Sequence, residues 1–112
     1  MIHINRIQEG GIESIVITGE VDASSSIELD NALAASLNSG YKKLLINCSA
    51  LEYISSAGLG VFMSYIEDFK SANISFVLFG MNDKVSNTFG ILGLDQLLSI
   101  AKTKEEALQM LS

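Results

Sequence analysis

The chain reads as an α/β protein built on a central mixed, mostly parallel β-sheet. Three observations predict it. Short runs that are apolar throughout recur at Ile15-Val16-Ile17, Leu44-Leu45-Ile46 and Phe76-Val77-Leu78-Phe79, as strands covered on both faces do. Amphipathic helical stretches separate these runs. Each strand–helix–strand unit then calls for a right-handed crossover and parallel pairing. The expectation is four to five strands and about four α-helices, in the order β-β-α-β-α-β-α-(β)-α.

From Met1 to Glu9 polar and apolar residues alternate, with Ile2, Ile4 and Ile7 the apolar members, as in a half-exposed strand. Glu9-Gly10-Gly11 reads as a hairpin turn, because paired glycines tolerate positive φ; the first two strands are therefore antiparallel. The Ile15–Ile17 strand ends at Gly19. Ser25 and Glu28 have the spacing of a capping box. Leu29, Leu33 and Leu37, with Ala32, then form one helical stripe that stops at Asn38-Ser39-Gly40.

After the Leu44–Ile46 strand, a loop leads to a helix from Ala57 to about Lys70. Leu59, Phe62, Met63, Ile66 and Phe69 share its inner face. Gly80 stops the Phe76–Phe79 strand. Asn82 or Asp83 caps a short helix carrying Val85 and Phe89, which ends near Gly90 to Gly93. Leu97-Leu98 to Ala101 is the optional last strand. Thr103 and Glu106 repeat the capping-box spacing ahead of a terminal helix with Ala107, Leu108 and Leu111.

The 112 residues suit one domain, 1–112, in which folding buries roughly two-thirds of the unfolded surface. With 48% apolar and 18% charged residues, disorder is excluded. Seven basic against thirteen acidic residues leave a net charge of −6. That balance argues against direct nucleic-acid binding or an anionic membrane surface as partner, since both need clustered cations. No apolar run reaches the roughly 20 residues that insert into a membrane, and Met1–Glu9 lacks a signal-peptide core. The expected localisation is cytoplasmic.

Much catalytic chemistry is missing. The single histidine, His3, lies on the first strand, so a Ser-His-Asp triad has no base to draw on; neither a Gly-x-Ser-x-Gly elbow nor a P-loop is present. Gly58-Leu59-Gly60 opens like a dinucleotide fingerprint, but Met63 stands where the next glycine is required. Gly90-Ile91-Leu92-Gly93 lacks the flanking cations of an RNA-binding loop. Cys48 cannot form an internal disulfide and reads as a buried structural residue. Glu20, Asp22, Glu28 and Asp30 lie close in sequence without a partner histidine or a metal-ligand pattern. No catalytic residues, metal or cofactor are expected.

What remains is the stretch Asn47 to Phe62, running from a strand into a helix. It sets Ser55 and Ser56 at a helix N-terminus on the carboxyl edge of the sheet, where α/β folds place their ligands. Local chemistry alone allows one of them to be only an N-cap, contributing about 1 kcal/mol.

This segment resembles the signature of the STAS-domain anti-sigma factor antagonists: Asp-x-Ser after a strand, a short apolar run, then Asp-Ser-Ser/Thr-Gly-Leu-Gly opening a helix. Ser49, Tyr53-Ile54, Ser56, Gly58, Leu59 and Gly60 fit that pattern, and Gly19-Glu20-Val21-Asp22 is similar to the family's Gly-Glu-Leu-Asp. The element order agrees over almost the whole chain, and the length is that of a stand-alone member. Asn47 and Ser55 stand where the family usually has Asp, and Ala57 where it has Ser or Thr.

The resemblance implies a partner switch. The unmodified antagonist binds an anti-sigma factor that is also a serine-protein kinase, and so releases the sigma factor. Phosphorylation ends the interaction, and a PP2C-type phosphatase restores it. Aligned on Gly58-Leu59-Gly60, the phosphoacceptor is Ser56, with Ser55 as the alternative. Asp22, Ser55, Ser56, Ala57, Gly58, Leu59 and Gly60 would form the partner surface. Asp22 has a rival role in capping the first helix with Ser24 to Ser26, Leu59 divides between core and interface, and Phe62 and Met63 are assigned to the core. The competing function is a STAS scaffold or small regulatory subunit of a membrane transporter complex, without a phospho-switch.

Overall fold

The computed structural model describes residues 2–112; Met1, the first residue of the alternating stretch, lies outside them. Five strands form one sheet in the order β1-β2-β3-β4-β5: β1 (Ile2–Glu9), β2 (Ile12–Val21), β3 (Lys43–Ile54), β4 (Ser75–Phe79) and β5 (Ser99–Ala101). Helices α1 (Ser26–Leu37), α2 (Ser56–Ser71), α3 (Asp83–Ile91) and α4 (Lys104–Leu111) connect or follow them. The expected element order holds. A single 3-10 turn, Leu94–Gln96, was not anticipated.

β1 and β2 pair antiparallel through the Gly10-Gly11 turn, where both glycines have positive φ, and β2 to β5 run parallel. α1, α2 and α3 bury Leu29, Leu33, Leu59, Phe62, Phe69, Val85 and Phe89 against one face of the sheet. α4 seals part of the other face, packing Ala107 and Leu111 on Leu45, Val77, Phe79 and Ala101.

Two strands are longer than their apolar runs. β2 does not end at Gly19; it bends there, at φ +98°, and continues to Val21. β3 does not give way to a loop after Ile46 but extends to Ile54. The two extensions support each other, because Val21 pairs with Ile54. Twice along this ladder β3 spends one residue more than β2, between Asn47 and Ala50 and between Leu51 and Tyr53. At the first bulge the Asn47 Oδ1 accepts from the Ser49 N–H at 2.9 Å and from its Oγ at 2.6 Å. That capture competes with the ladder for the Ser49 amide and accounts for the local slip. An amide oxygen accepts as a carboxylate does, so Asn47 serves this turn as Asp would.

Val16 also departs from the reading of a strand buried on both faces: it is half-buried on the α4 side, while Ile15 and Ile17 are fully buried. The alternation conceals one buried charge. Glu13 is wholly enclosed, paired with Arg6 at 2.8 Å and accepting from Gln8 at 2.6 Å and from the Ser36 hydroxyl of α1. Burial pushes its carboxyl up, but the hydrogen bonds from Ser36, Gln8 and Arg6 and the Arg6 charge outweigh this, leaving it below the usual glutamate value.

Candidate functional site

The carboxyl ends of β2, β3 and β4 bring the N-termini of α1, α2 and α3 to one edge of the sheet. At its centre only Ser55 separates β3 from α2. Ser55 is extended (φ −85°, ψ 170°), its N–H donates to the Val21 carbonyl at 2.8 Å, and its Oγ accepts from the Gly58 N–H at 3.3 Å. It is the N-cap. Ser56 is the first helical residue; it is exposed, and its hydroxyl has no hydrogen-bond partner among the described residues. The two serines that local chemistry left interchangeable thus divide into an occupied hydroxyl and a free one.

Asp22 follows Val21 immediately and lies beside this cap. Its Oδ1 accepts from the Ser24 N–H (3.0 Å), the Ser24 Oγ (2.8 Å) and the Ser25 N–H (2.9 Å), and its own N–H donates to the Ser25 Oγ at 2.9 Å. The Ser24 hydroxyl first, then the Ser25 amide and hydroxyl, hold its carboxyl at about 2. The Ser25–Glu28 capping box is not made. Ser25 has helical angles and no side-chain cap, because Asp22 has already taken the groups that would form it.

Gly58 and Leu59 face inward, and Leu59 is fully buried. A Cβ on Gly58 would come within 2.7 Å of side-chain carbons of Ile54 and Val21, so glycine here lets α2 sit down on the strand ends. Gly60 is exposed, with nothing within 4 Å of a Cβ, and Ala57 is exposed beside it. Met63 corrects the sequence assignment: it is 50% exposed, while Phe62 is buried. Ser56, Gly60 and Met63, spaced four and three apart, form one outward row on α2.

On the other flank the Asn82 Nδ2 donates to the Leu51 carbonyl at 3.3 Å, and its Oδ1 caps α3 by accepting from the Val85 N–H at 2.7 Å. This seats Lys84 over the exposed Tyr53 ring, 5.5 Å from its centroid. Neither Lys84 nor Met63 was singled out for this surface. Met63 could have been recognised only from its place at the margin of the helical stripe. Ser49 and Asn47 do not join the site, because five residues of strand, a rise of roughly 15–20 Å, separate Ser49 from Ser55. Cys48 is fully buried within β3, where desolvation pushes its thiol up to about 12.

Ser56 therefore offers an exposed hydroxyl on a rigid helix N-terminus, among small residues and beside an acidic turn. An anion placed there meets the free first-turn amides and the positive end of the helix dipole.

The STAS domain family model matches residues 3–107. The chain belongs to that family. It is 29% identical over 92 residues to the anti-sigma-B factor antagonist of Listeria monocytogenes, covering 82% of this chain and 81% of the relative. Its fold matches the crystal structure of an anti-sigma factor antagonist from Mycobacterium paratuberculosis with a TM-score of 0.90 at 22% identity, over 99% of this chain and 94% of that one. The Bacillus cell fate determinant SpoIIAA in its phosphorylated form matches with a TM-score of 0.70 at 17% identity, over the whole of both chains.

Proposed function

We propose that this chain is an anti-sigma factor antagonist that works by partner switching. The observation that carries the reading is the free, exposed hydroxyl of Ser56 at the first position of α2, next to a serine already committed as the cap. The names of the relatives agree with it. In this reading the unmodified protein binds an anti-sigma factor that is a serine-protein kinase, through the edge formed by Asp22, Ser55, Ser56, Ala57 and Gly60. Gly58 and the buried Leu59 act from beneath, by holding α2 in place. The protein is a binding partner in the cytoplasm rather than an enzyme, and a PP2C-type phosphatase resets it.

The switch needs no refolding. A phosphoserine carries about −1.5 to −2 charge. The helix N-terminus accommodates it, whereas a partner packed over Ser56 would have to desolvate it beside Asp22. A loss of about 3–4 kcal/mol weakens binding more than a hundredfold. The absence of an acidic side chain at Ser55 bears on which kinase recognises the site and leaves this energetic argument unchanged.

The test is a pull-down from host lysate with wild type and Ser56→Asp, identifying the retained proteins. A serine kinase of the anti-sigma type held only by wild type supports the proposal. Transporter subunits held equally by both forms would replace it with the scaffold reading.

A further inference from the structure

α4 packs on β3, β4 and β5 and leaves the outward side of β1 and β2 largely open. A groove of about 400 Å³ runs between the β1–β2 hairpin and α4. The strand register lays out its length. Glu9 pairs with Ile12 at the amino end, Ile7 with Ser14 in the middle, and Val16 with Asn47 at the carboxyl end. From Ile12 to Val16 the strand rises about 13 Å. Asn47 pairs in turn with Phe79 and Phe79 with Ala101, and Lys104 opens α4 just beyond Ala101. Lys104 therefore stands at the Asn47 end of the groove, and Leu108, one turn further along α4, faces its middle.

The two ends differ in chemistry. At the carboxyl end Lys104 is exposed and in no ion pair; the only one among the described residues is Arg6–Glu13. Asn47 commits its Oδ1 to Ser49, while its Nδ2 has no hydrogen-bond partner among the described residues, and neither has the Ser14 hydroxyl. Both side chains are half-buried in the groove lining. The middle is apolar, with Ile7 and Leu108 on opposing walls, 50% and 36% exposed. The amino end carries the Glu9 carboxylate. β2 and β3 are each paired along both edges, so the floor has no open strand edge onto which a peptide could add as a further strand.

We propose that this groove is a binding site for a small amphipathic carboxylate. Its head lies against the Lys104 ammonium and the Asn47 amide, and its apolar tail runs past Ser14 between Ile7 and Leu108. A single cation at the head position, on a chain of net charge −6, suits a monoanion rather than a phosphate dianion. Glu9 repels the head from the far end, so the ligand enters in one direction only. The volume falls in the range of small-ligand sites. α2 packs on the opposite face of the sheet, so the site is separate from Ser56 and does not rest on the proposed switch.

Isothermal titration calorimetry with sodium octanoate, and with octylamine as the probe of opposite charge, tests this. Wild type is expected to bind octanoate saturably, one per chain, and octylamine at least about tenfold more weakly. Lys104→Gln should raise the octanoate dissociation constant at least about tenfold. Lys102→Gln, an equally exposed lysine outside the groove, should leave it within about twofold of wild type. Ser14→Phe, which fills the middle of the groove, should abolish binding, with circular dichroism showing each variant folded. No saturable octanoate binding to wild type, octylamine bound as tightly as octanoate, or the two lysine variants weakened alike would each overturn the proposal. So would undiminished binding to Lys104→Gln or to a folded Ser14→Phe.

Discussion

The Ser55 amide donates to the carbonyl oxygen of Val21 at 2.8 Å, one residue beyond the last pair of the β2–β3 ladder, Val21 with Ile54. This bond joins the start of α2 to the residue that precedes Asp22. It holds the free Ser56 hydroxyl and the Asp22 turn as one rigid edge, and it makes the behaviour of neighbouring positions predictable.

Ser55 and Ser56 should respond in opposite ways. Ser55→Ala removes the cap on the Gly58 amide and is expected to cost about 1 kcal/mol. Ser56→Asp adds an anion to the first turn without breaking a bond, so its melting temperature should equal or exceed that of wild type. Thermal unfolding of the two variants checks both; a strongly destabilised Ser56→Asp would make Ser56 structural.

The two helical glycines of α2 should also separate. In Gly58→Ala the new methyl meets buried Ile54 and Val21 carbons at 2.7 Å, an overpacking worth about 1–3 kcal/mol. Gly60→Ala meets nothing and should stabilise by about 0.5–1 kcal/mol through helix propensity. Urea denaturation midpoints decide the matter.

Glu13 should make stability sensitive to acid. Its folded pKa lies below its ordinary value of 4.5. Its contribution is therefore fully present above that value and lost as pH falls through the folded pKa. Glu13→Gln is expected to cost about 2 kcal/mol at neutral pH, less than a fully buried pair because the Arg6 side chain is 30% exposed. The gap from wild type should close at low pH. Equilibrium unfolding of both proteins from neutral pH down to about 3 measures it; a constant gap would contradict the assignment.

Cys48 should be inert in the folded protein. With its thiol fully buried and pushed up to about 12, it should react with a thiol reagent at mildly alkaline pH only after denaturant is added. Rapid labelling of the native protein would show that β3 opens locally.

The sequence by itself determined the order of the elements, the antiparallel hairpin, the parallel remainder of the sheet and the helix N-terminus at Ser55-Ser56. Each of these rests on short-range physics: apolar period, turn glycines and capping residues act within a few positions. The cap at Thr103 was legible for the same reason, and so was a cap at Asn82 or Asp83, of which the fold takes Asn82. The tertiary structure alone decided how far β2 and β3 extend, because Gly19-Glu20-Val21 and Cys48 to Ile54 are strands only by virtue of each other. It decided that Ser25 would yield its cap to Asp22, and that Ser55 rather than Ser56 would be tied down by Val21. It buried Glu13 among Arg6, Gln8 and Ser36, turned Met63 outward, and left the hairpin face bare beyond the reach of α4. These outcomes depend on which surfaces meet, and residues that meet across a fold leave no periodic trace in the chain that carries them.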